Sequence, residues 1–145
     1  MTFNAAPKAS TIFQFSALAL LLVGAAACSA KPLDETHTGE LTDTDDRREE
    51  DNSPYDTYTI RPRKGDRVTV TMTAANPATL DTYLLIGAPD GSEVGQNDDC
   101  DPSAPEKGSC LNFEVVHEGA YEIHANALDD SGRGAYTLRI TSAKP

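Results

Sequence analysis

The sequence predicts an all-β domain built as a two-sheet antiparallel sandwich, and three observations carry that prediction. Seven short segments beyond residue 54 alternate apolar with polar residues, the period of a strand with one face buried. Clusters of Gly, Pro, Asp and Asn separate these segments at the spacing of an all-β fold. No stretch after Cys28 has the apolar spacing of an amphipathic helix.

The chain begins with residues 1–27, which hold one basic residue, Lys8, no acid, and the 16-residue run "IFQFSALALLLVGAAA" that stops at Cys28. A run this short reads as a signal peptide and not as a transmembrane helix. "AAAC" resembles the lipobox of bacterial lipoproteins with Ala25 where Leu is usual, while Ala25-Ala26-Ala27 also fits an ordinary A-x-A cleavage site. The cysteine count favours the lipid. Cys100 and Cys110 can pair as a disulfide within one polar loop of an exported chain, which leaves Cys28 as the odd thiol. Ser29 beside it resembles lipoproteins sorted to the outer membrane. The expected location is therefore the cell envelope, through a lipidated Cys28, with free secretion as the alternative.

Without its signal peptide the chain has 11 basic and 23 acidic side chains. Nucleic acid and anionic membrane surfaces are repelled by such a balance, so a membrane role is expected only through the lipid, and cations are favoured. Residues 28–38 are polar without periodicity and read as a linker. "LTDTDDRREEDNSP", Leu41 to Pro54, is a charge block whose first reading is a flexible spacer. The domain is placed at 39–141, with 142–145 as a tail.

The predicted strands are "YDTYTI", "RVTVTMT", "TYLLIG", "SEVGQ", "CLNFEVV", "AYEIHA" and "AYTLRI". A hairpin about His117-Glu118-Gly119 pairs positions summing to about 236, which sets Phe113 against Ile123, Leu111 against Ala125 and Val115 against Tyr121. A second hairpin across "RPRKGD" sets Ile60 against Val68 and Tyr58 against Val70. Both put apolar residues on one face. The expected core is Val68, Val70, Leu84, Phe113, Val115, Ile123, Tyr136, Leu138 and Ile140. "GAYEIHA" and "GAYTLRI" echo each other as two strands entered alike, with Tyr121 and Tyr136 pointing inward.

In order and spacing, "YDTYTIRPRKGDRVTVTM", "LDTYLLIGAPDGSEVGQNDD", "SCLNFEVVHEGAYEIHA" and "GRGAYTLRI" resemble the bacterial pre-peptidase C-terminal domain, over Gly39 to Ile140. The most specific pieces are Asp81 before Tyr83-Leu84, the Pro89-Asp90-Gly91 turn, Asn97-Asp98-Asp99 and Gly134-Ala135-Tyr136-Thr137-Leu138. The resemblance implies a sandwich of jelly-roll character, similar to carbohydrate- and collagen-binding modules and without catalytic residues. The chain departs from the family in lacking a peptidase domain beside it and in carrying Cys100 and Cys110.

Catalytic motifs fit poorly. His117-Glu118 and His124 lack the H-E-x-x-H spacing that puts two imidazoles on one helix face. "DDSGRG", Asp129 to Gly134, has no G-x-S-x-G elbow with it. The loop "GQNDDCDPSAPEKGSC" is richer. Asn97, Asp98, Asp99 and Asp101 offer oxygens to a hard cation, and a hairpin around "APDG" with positions summing to about 179–181 brings Asp81 opposite residues 98–100. The motif is no EF-hand, since Pro102 stands where that loop needs Gly. Two readings stay open: Ca²⁺ held by Asp81, Asn97, Asp98, Asp99 and Asp101, or the same residues bracing the loop by hydrogen bonds.

The expected function is a non-catalytic accessory or binding module of the cell envelope, monomeric, with a partner the sequence does not identify. A carbohydrate- or matrix-binding module is the alternative, and an enzyme of unrecognised type is the third reading. Exposed aromatic residues on one sheet face favour the alternative, but the chain has no Trp and its five Tyr are expected mostly in the core.

Overall fold

The computed structural model describes residues 31–101, 103 and 108–144, so the signal peptide and Cys28 lie outside the described residues. Among the described residues nine strands follow one another: β1 (Asp34–Leu41), β2 (Asp46–Arg47), β3 (Pro54–Ile60), β4 (Arg67–Ala74), β5 (Thr82–Gly87), β6 (Glu93–Asn97), β7 (Ser109–Glu114), β8 (Tyr121–Ala127) and β9 (Gly134–Ala143). They form two antiparallel sheets, one in the order β1-β9-β4-β7 and one in the order β2-β3-β8-β5-β6. With the two-residue β2 set aside, this is an eight-stranded jelly roll, the expected class.

Consecutive strands pair in only two places, β2 with β3 and β5 with β6; every other connection crosses from one sheet to the other. This corrects both expected hairpins that lack the "APDG" turn. β7 pairs with β4, setting Val68 against Phe113 and Val70 against Leu111. β8 pairs with β3, setting Ile60 against Tyr121 and Tyr58 against Ile123. The reason is geometric: an arch between sheets and a hairpin within one sheet can place the same side chains inward, so alternation alone does not distinguish them. The two arches are stitched together, since Gly65 N donates to Val115 O at 2.8 Å and Val115 N to Asp66 O at 2.9 Å. The Tyr121 hydroxyl fixes the second arch by donating to His117 O and accepting from His117 N, each at 3.1 Å, in the manner of a tyrosine corner.

The core lies between the sheets. Val68, Val70, Met72, Leu84, Ile86, Ile123, Leu138 and Ile140 are wholly buried, and Tyr121 and Tyr136 nearly so. Each such side chain contributes roughly 1.5–3 kcal/mol relative to exposure. Of the expected core, Phe113 is only half-buried, because β7 is an edge strand. Of the five tyrosines only Tyr121 and Tyr136 are core residues, while Tyr55, Tyr58 and Tyr83 are half-buried. Tyr58 and Tyr136 meet at 2.7 Å between their hydroxyls, and Tyr136 donates to Asp56 Oδ2 at 2.5 Å, a polar cross-tie inside the sandwich.

The ends of the domain also move. β1 starts at Asp34 and pairs with β9 from Asp34↔Thr141 to Leu41↔Gly134, so half of the expected linker 28–38 belongs to a sheet. Its half-buried positions are Glu35, His37 and Gly39, not apolar residues, which is why no periodicity shows. Gly39 lies opposite Tyr136, and a Cβ there would collide with the tyrosine ring. β9 runs to Ala143, into the expected tail. The charge block is likewise ordered: Thr42 N donates to Asp45 Oδ2 at 2.6 Å, and Arg48 N to Ser53 O at 3.0 Å.

Candidate functional site

The "APDG" hairpin forms as expected. Leu84 pairs with Asn97 and Ile86 with Gly95, the upper end of the predicted register. Gly91, at φ 82, takes the left-handed position of the turn, which closes with Ala88 N to Ser92 O at 2.8 Å. Asp81 precedes β5, and Asp98 and Asp99 follow β6. Burial first, then the charges of Asp99, Asp98 and Asp129, push the Asp81 carboxyl above its ordinary value. Asp81, Asp98 and Asp99 thus converge, joined by Asp129 from the β8–β9 loop.

Two residues of the expected cation set have other duties. Asn97 Oδ1 accepts from Cys110 N at 2.9 Å, bracing β6 against β7. Asp101 Oδ1 accepts from Ser103 N at 2.9 Å and Ser103 Oγ at 2.6 Å. Among the described residues no three His, Cys, Asp or Glu side chains are placed to hold a metal ion. Cys100 and Cys110 are bonded, with Cα atoms 5.0 Å apart. Gly108, at φ 96, lies against the Met72 carbonyl and accepts from Cys100 N at 2.8 Å, closing the loop onto β4.

Asp101 belongs to a set. Asp51, Asp90 and Asp129 also accept, through Oδ1, both the backbone N and the hydroxyl of the serine two residues on. In each case the serine hydroxyl is the largest cause holding the carboxyl below its ordinary value. The signal is Asp-x-Ser, present four times in the sequence. "DDSGRG" is therefore a braced turn. His117 faces Asp90 at 3.4 Å, and His124 sits on β8, and the two are not part of any group placed to hold a metal ion among the described residues.

A second location emerges on the outer face of the β2-β3-β8-β5-β6 sheet. Arg47, Arg48, Glu49, Glu50, Tyr55, Leu85 and His124 line an open recess of about 400 Å³. The rings of Tyr55 and His124 stack, with centroids 4.6 Å apart and planes 18° apart. Leu85 lies directly opposite His124 in the ladder. The Arg48 guanidinium stands 5.4 Å above the Tyr83 ring, a cation–π distance. Burial opposes its charge, but Asp51, Tyr83 and Glu50 outweigh that and raise its pKa. Burial, aided by Arg48 and opposed by Glu122, pushes the His124 imidazole below its usual value, so it is neutral at pH 7. Next along β8, Asn126 is wholly buried; its Nδ2 donates to Ser53 Oγ and Ala127 O, while its Oδ1 has no partner among the described residues.

The sequence reading missed this recess. Its signal was available: Tyr55, Tyr83, Leu85 and His124 are large side chains in the outward phase of strands whose other phase fills the core. An apolar residue in both phases marks a strand with something to cover on each side.

No known family's sequence profile matches the chain, and no curated protein matches it. Solved structures do share its fold, that of a small all-β jelly-roll module. The periplasmic inhibitor of g-type lysozyme PliG from Aeromonas hydrophila aligns with a TM-score of 0.52 at 16% identity, over 76% of this chain and 86% of the inhibitor. The pre-peptidase C-terminal domain of Bacillus anthracis collagenase aligns with a TM-score of 0.52 at 14% identity, over 74% of this chain and 89% of the domain. The Yersinia pseudotuberculosis-derived mitogen aligns with a TM-score of 0.51 at 16% identity, over 77% and 86%. The expected resemblance to the pre-peptidase C-terminal domain is therefore one of fold.

Proposed function

We propose that the chain is a non-catalytic accessory or binding module of the cell envelope, exported by residues 1–27, tethered by a lipid on Cys28, and binding its partner in the recess on the five-stranded sheet. The observation that carries this reading is the stacked Tyr55–His124 pair beside the half-buried Arg48 guanidinium. Flat, rigid rings supply contact area at little conformational cost, and two Arg with two Glu around them supply hydrogen bonds without a net charge. Such a surface suits recognition of a partner. The Cys100–Cys110 bond supports export, since disulfides persist in oxidising compartments. One protein of the same fold is a periplasmic inhibitor of g-type lysozyme and another a pre-peptidase C-terminal domain of a collagenase.

The outward Tyr55 and Tyr83 favour a second reading, a carbohydrate- or matrix-binding module, because planar faces with polar neighbours suit a neutral, hydroxyl-rich ligand. One experiment tests both. The mature chain and its Tyr55→Ser variant, matched for melting temperature, are used to capture components of the native envelope, which are identified by mass spectrometry. A component held by the parent and lost by the variant supports the recess as the site, and competition by soluble envelope glycans selects the second reading. Equal capture by both proteins overturns it.

A further inference from the structure

The charged side chains that line the recess balance in number but not in how they are engaged. Both arginines are already paired. Arg47 faces Asp43 at 3.6 Å and donates to Asn52 O at 2.9 Å, and Arg48 holds Glu50 at 3.4 Å and Asp51 at 3.6 Å. Glu49 takes part in no ion pair among the described residues, and neither does Asp46, which stands directly opposite Tyr55 in the β2–β3 ladder. Glu122, two residues from His124 on the same face of β8, has only that imidazole, 3.9 Å away and neutral at pH 7. The other strands add no cation to this face: β3 brings Thr57 and Thr59, β5 brings Gly87, and β6 brings Gln96 and a further acid, Glu93. Arg61 lies past the end of β3, and Arg133 is held by Asp43 at 2.9 Å.

Hydrogen bonding shows the same imbalance. The Tyr83 hydroxyl donates to Gln96, and Asn126 Nδ2 donates to Ser53 Oγ at 3.0 Å and to Ala127 O at 2.9 Å, which fixes the way the Asn126 amide is turned. Its Oδ1, wholly buried in the row between Tyr55 and Tyr83, has no partner among the described residues. The neutral His124 ring adds one nitrogen that can accept. Acceptors and negative charge are thus in surplus here. The half-buried Arg48 reports the sign of the field, because its charge is favoured in spite of burial. The surrounding loops extend it. Residues 42–53 carry six acids, and 75–81, 98–101 and 128–133 carry six more, against Arg47, Arg48 and Arg133. All four loops meet at the end of the sandwich beside the recess, where their field draws cations in.

We infer that the recess receives an arginine side chain from a basic segment of a partner protein, its guanidinium against the Tyr55–His124 rings and its N–H groups toward Asp46, Glu49 and Glu122. A guanidinium suits the place better than an ammonium. It is flat and weakly hydrated, it stacks on aromatic faces, and its five donors serve acceptors that lie on different sides of it. The inference rests on the recess being the partner site, as proposed above.

Short probes read it directly. Hexa-arginine, hexaglutamine and spermine are titrated into the mature chain at about 50 mM salt, and binding is followed by backbone amide chemical shifts. Hexa-arginine should shift the amides of Tyr55, Leu85 and His124 while hexaglutamine shifts none, and about 0.5 M salt should weaken the binding. A Glu49→Gln/Glu122→Gln variant of unaltered melting temperature should bind about tenfold more weakly, the loss of two exposed ion pairs. Asp98→Asn/Asp99→Asn removes the same charge outside the recess and should stay within about twofold of the parent. Equal weakening by the two variants, shifts centred on 98–101 and 128–133, or no binding of hexa-arginine overturns the inference. Tighter binding of spermine than of hexa-arginine also overturns it, in favour of a small polyamine. Capture from the native envelope separates this failure from failure of the recess. A component lost by Tyr55→Ser, lost by Glu49→Gln/Glu122→Gln and displaced by hexa-arginine supports the inference. A component lost by Tyr55→Ser but kept by Glu49→Gln/Glu122→Gln leaves the recess as the site and overturns the arginine, and equal capture by all three proteins overturns both.

Discussion

Tyr136 donates a hydrogen bond to Asp56 at 2.5 Å and thereby joins the two sheets through a carboxylate. Burial first, then Asp56 and Tyr58, push the Tyr136 phenol well above its usual value, so it stays a donor at every pH the fold survives. Tyr136→Phe leaves Asp56 with a lone pair facing the sandwich interior and no donor. The expected loss is roughly 2 kcal/mol, or on the order of 10 °C in melting temperature. Tyr58→Phe should cost less, because Asp56 keeps its bond from Tyr136. Equal losses in thermal denaturation of the two variants would contradict this assignment.

Asp51 supports a buried serine. Its Oδ1 accepts from Ser53 N at 3.0 Å and Ser53 Oγ at 2.6 Å, and Ser53 in turn accepts from Asn126. Asp51→Ala should destabilise by about 1–2 kcal/mol, while Asp51→Asn, which keeps the acceptor, should recover most of it. The Asp51 carboxyl is held below its ordinary value, so its contribution is present above the unfolded pKa near 3.8 and is lost as the pH falls through the lower folded value. Urea titrations of the parent and Asp51→Asn between pH 2 and 5 read that loss.

For Asp81 the sign is opposite. Its folded pKa lies above the unfolded value of 3.8, so the folded state takes up a proton first as the pH falls, and the penalty is complete above the folded pKa. Asp81→Asn should therefore stabilise the domain at pH 7, by a few tenths of a kcal/mol or about 2–3 °C, and salt should shrink the gain. Melting the parent in EDTA and in millimolar Ca²⁺ separates repulsion from cation binding. The bracing roles of Asn97 and Asp101 lead us to expect superimposed curves. A rise near 10 °C, the shift for ligand at about a hundred times its Kd, would show a bound ion instead.

His124 should make the domain acid-sensitive in a different range. Its folded pKa is below 6.5, because burial and Arg48 disfavour the imidazolium more than Glu122 favours it. The unfolded chain then takes the proton first, and stability falls as the pH drops below about 6.5, levelling off beneath the folded value. His124→Gln should flatten the melting temperature between pH 5 and 6.5. A slope unchanged in that variant would place the titrating group elsewhere.

How far the fold was legible depends on what alternation encodes. The inward phase of β4, β5, β8 and β9 is a run of Val, Met, Leu, Ile, Ala and Tyr, and it could be read directly. The partner of each strand could not. Val68 packs inward whether its neighbour in the chain lies beside it or across from it, and only a tight turn such as Pro89-Asp90-Gly91 commits the chain to a hairpin. β1 was invisible for another reason: Glu35, His37 and Gly39 show no apolar face, since Tyr136 covers Gly39 from the next strand.

The sites divide similarly. The convergence of Asp81 with Asp98 and Asp99 followed from one turn and one register. Asp129 did not, because its loop reaches Asp81 only through the pairing of β8 with β5, which alternation does not show. The recess draws Arg48 from a charge block, Tyr55 and His124 from two strands, and Leu85 from a third, a meeting that depends on the β3-β8-β5 order.

The pairing of β1 with β9 makes the first strand of the domain wait for the last. A ribosome or a translocation pore delivers the N-terminus first, and while Gly134–Ala143 is still inside it, Asp34–Leu41 has no ladder to join and the β4 edge meant for β9 stands open. The domain therefore remains threadable until the ten residues of β9 emerge, and closes only when they do.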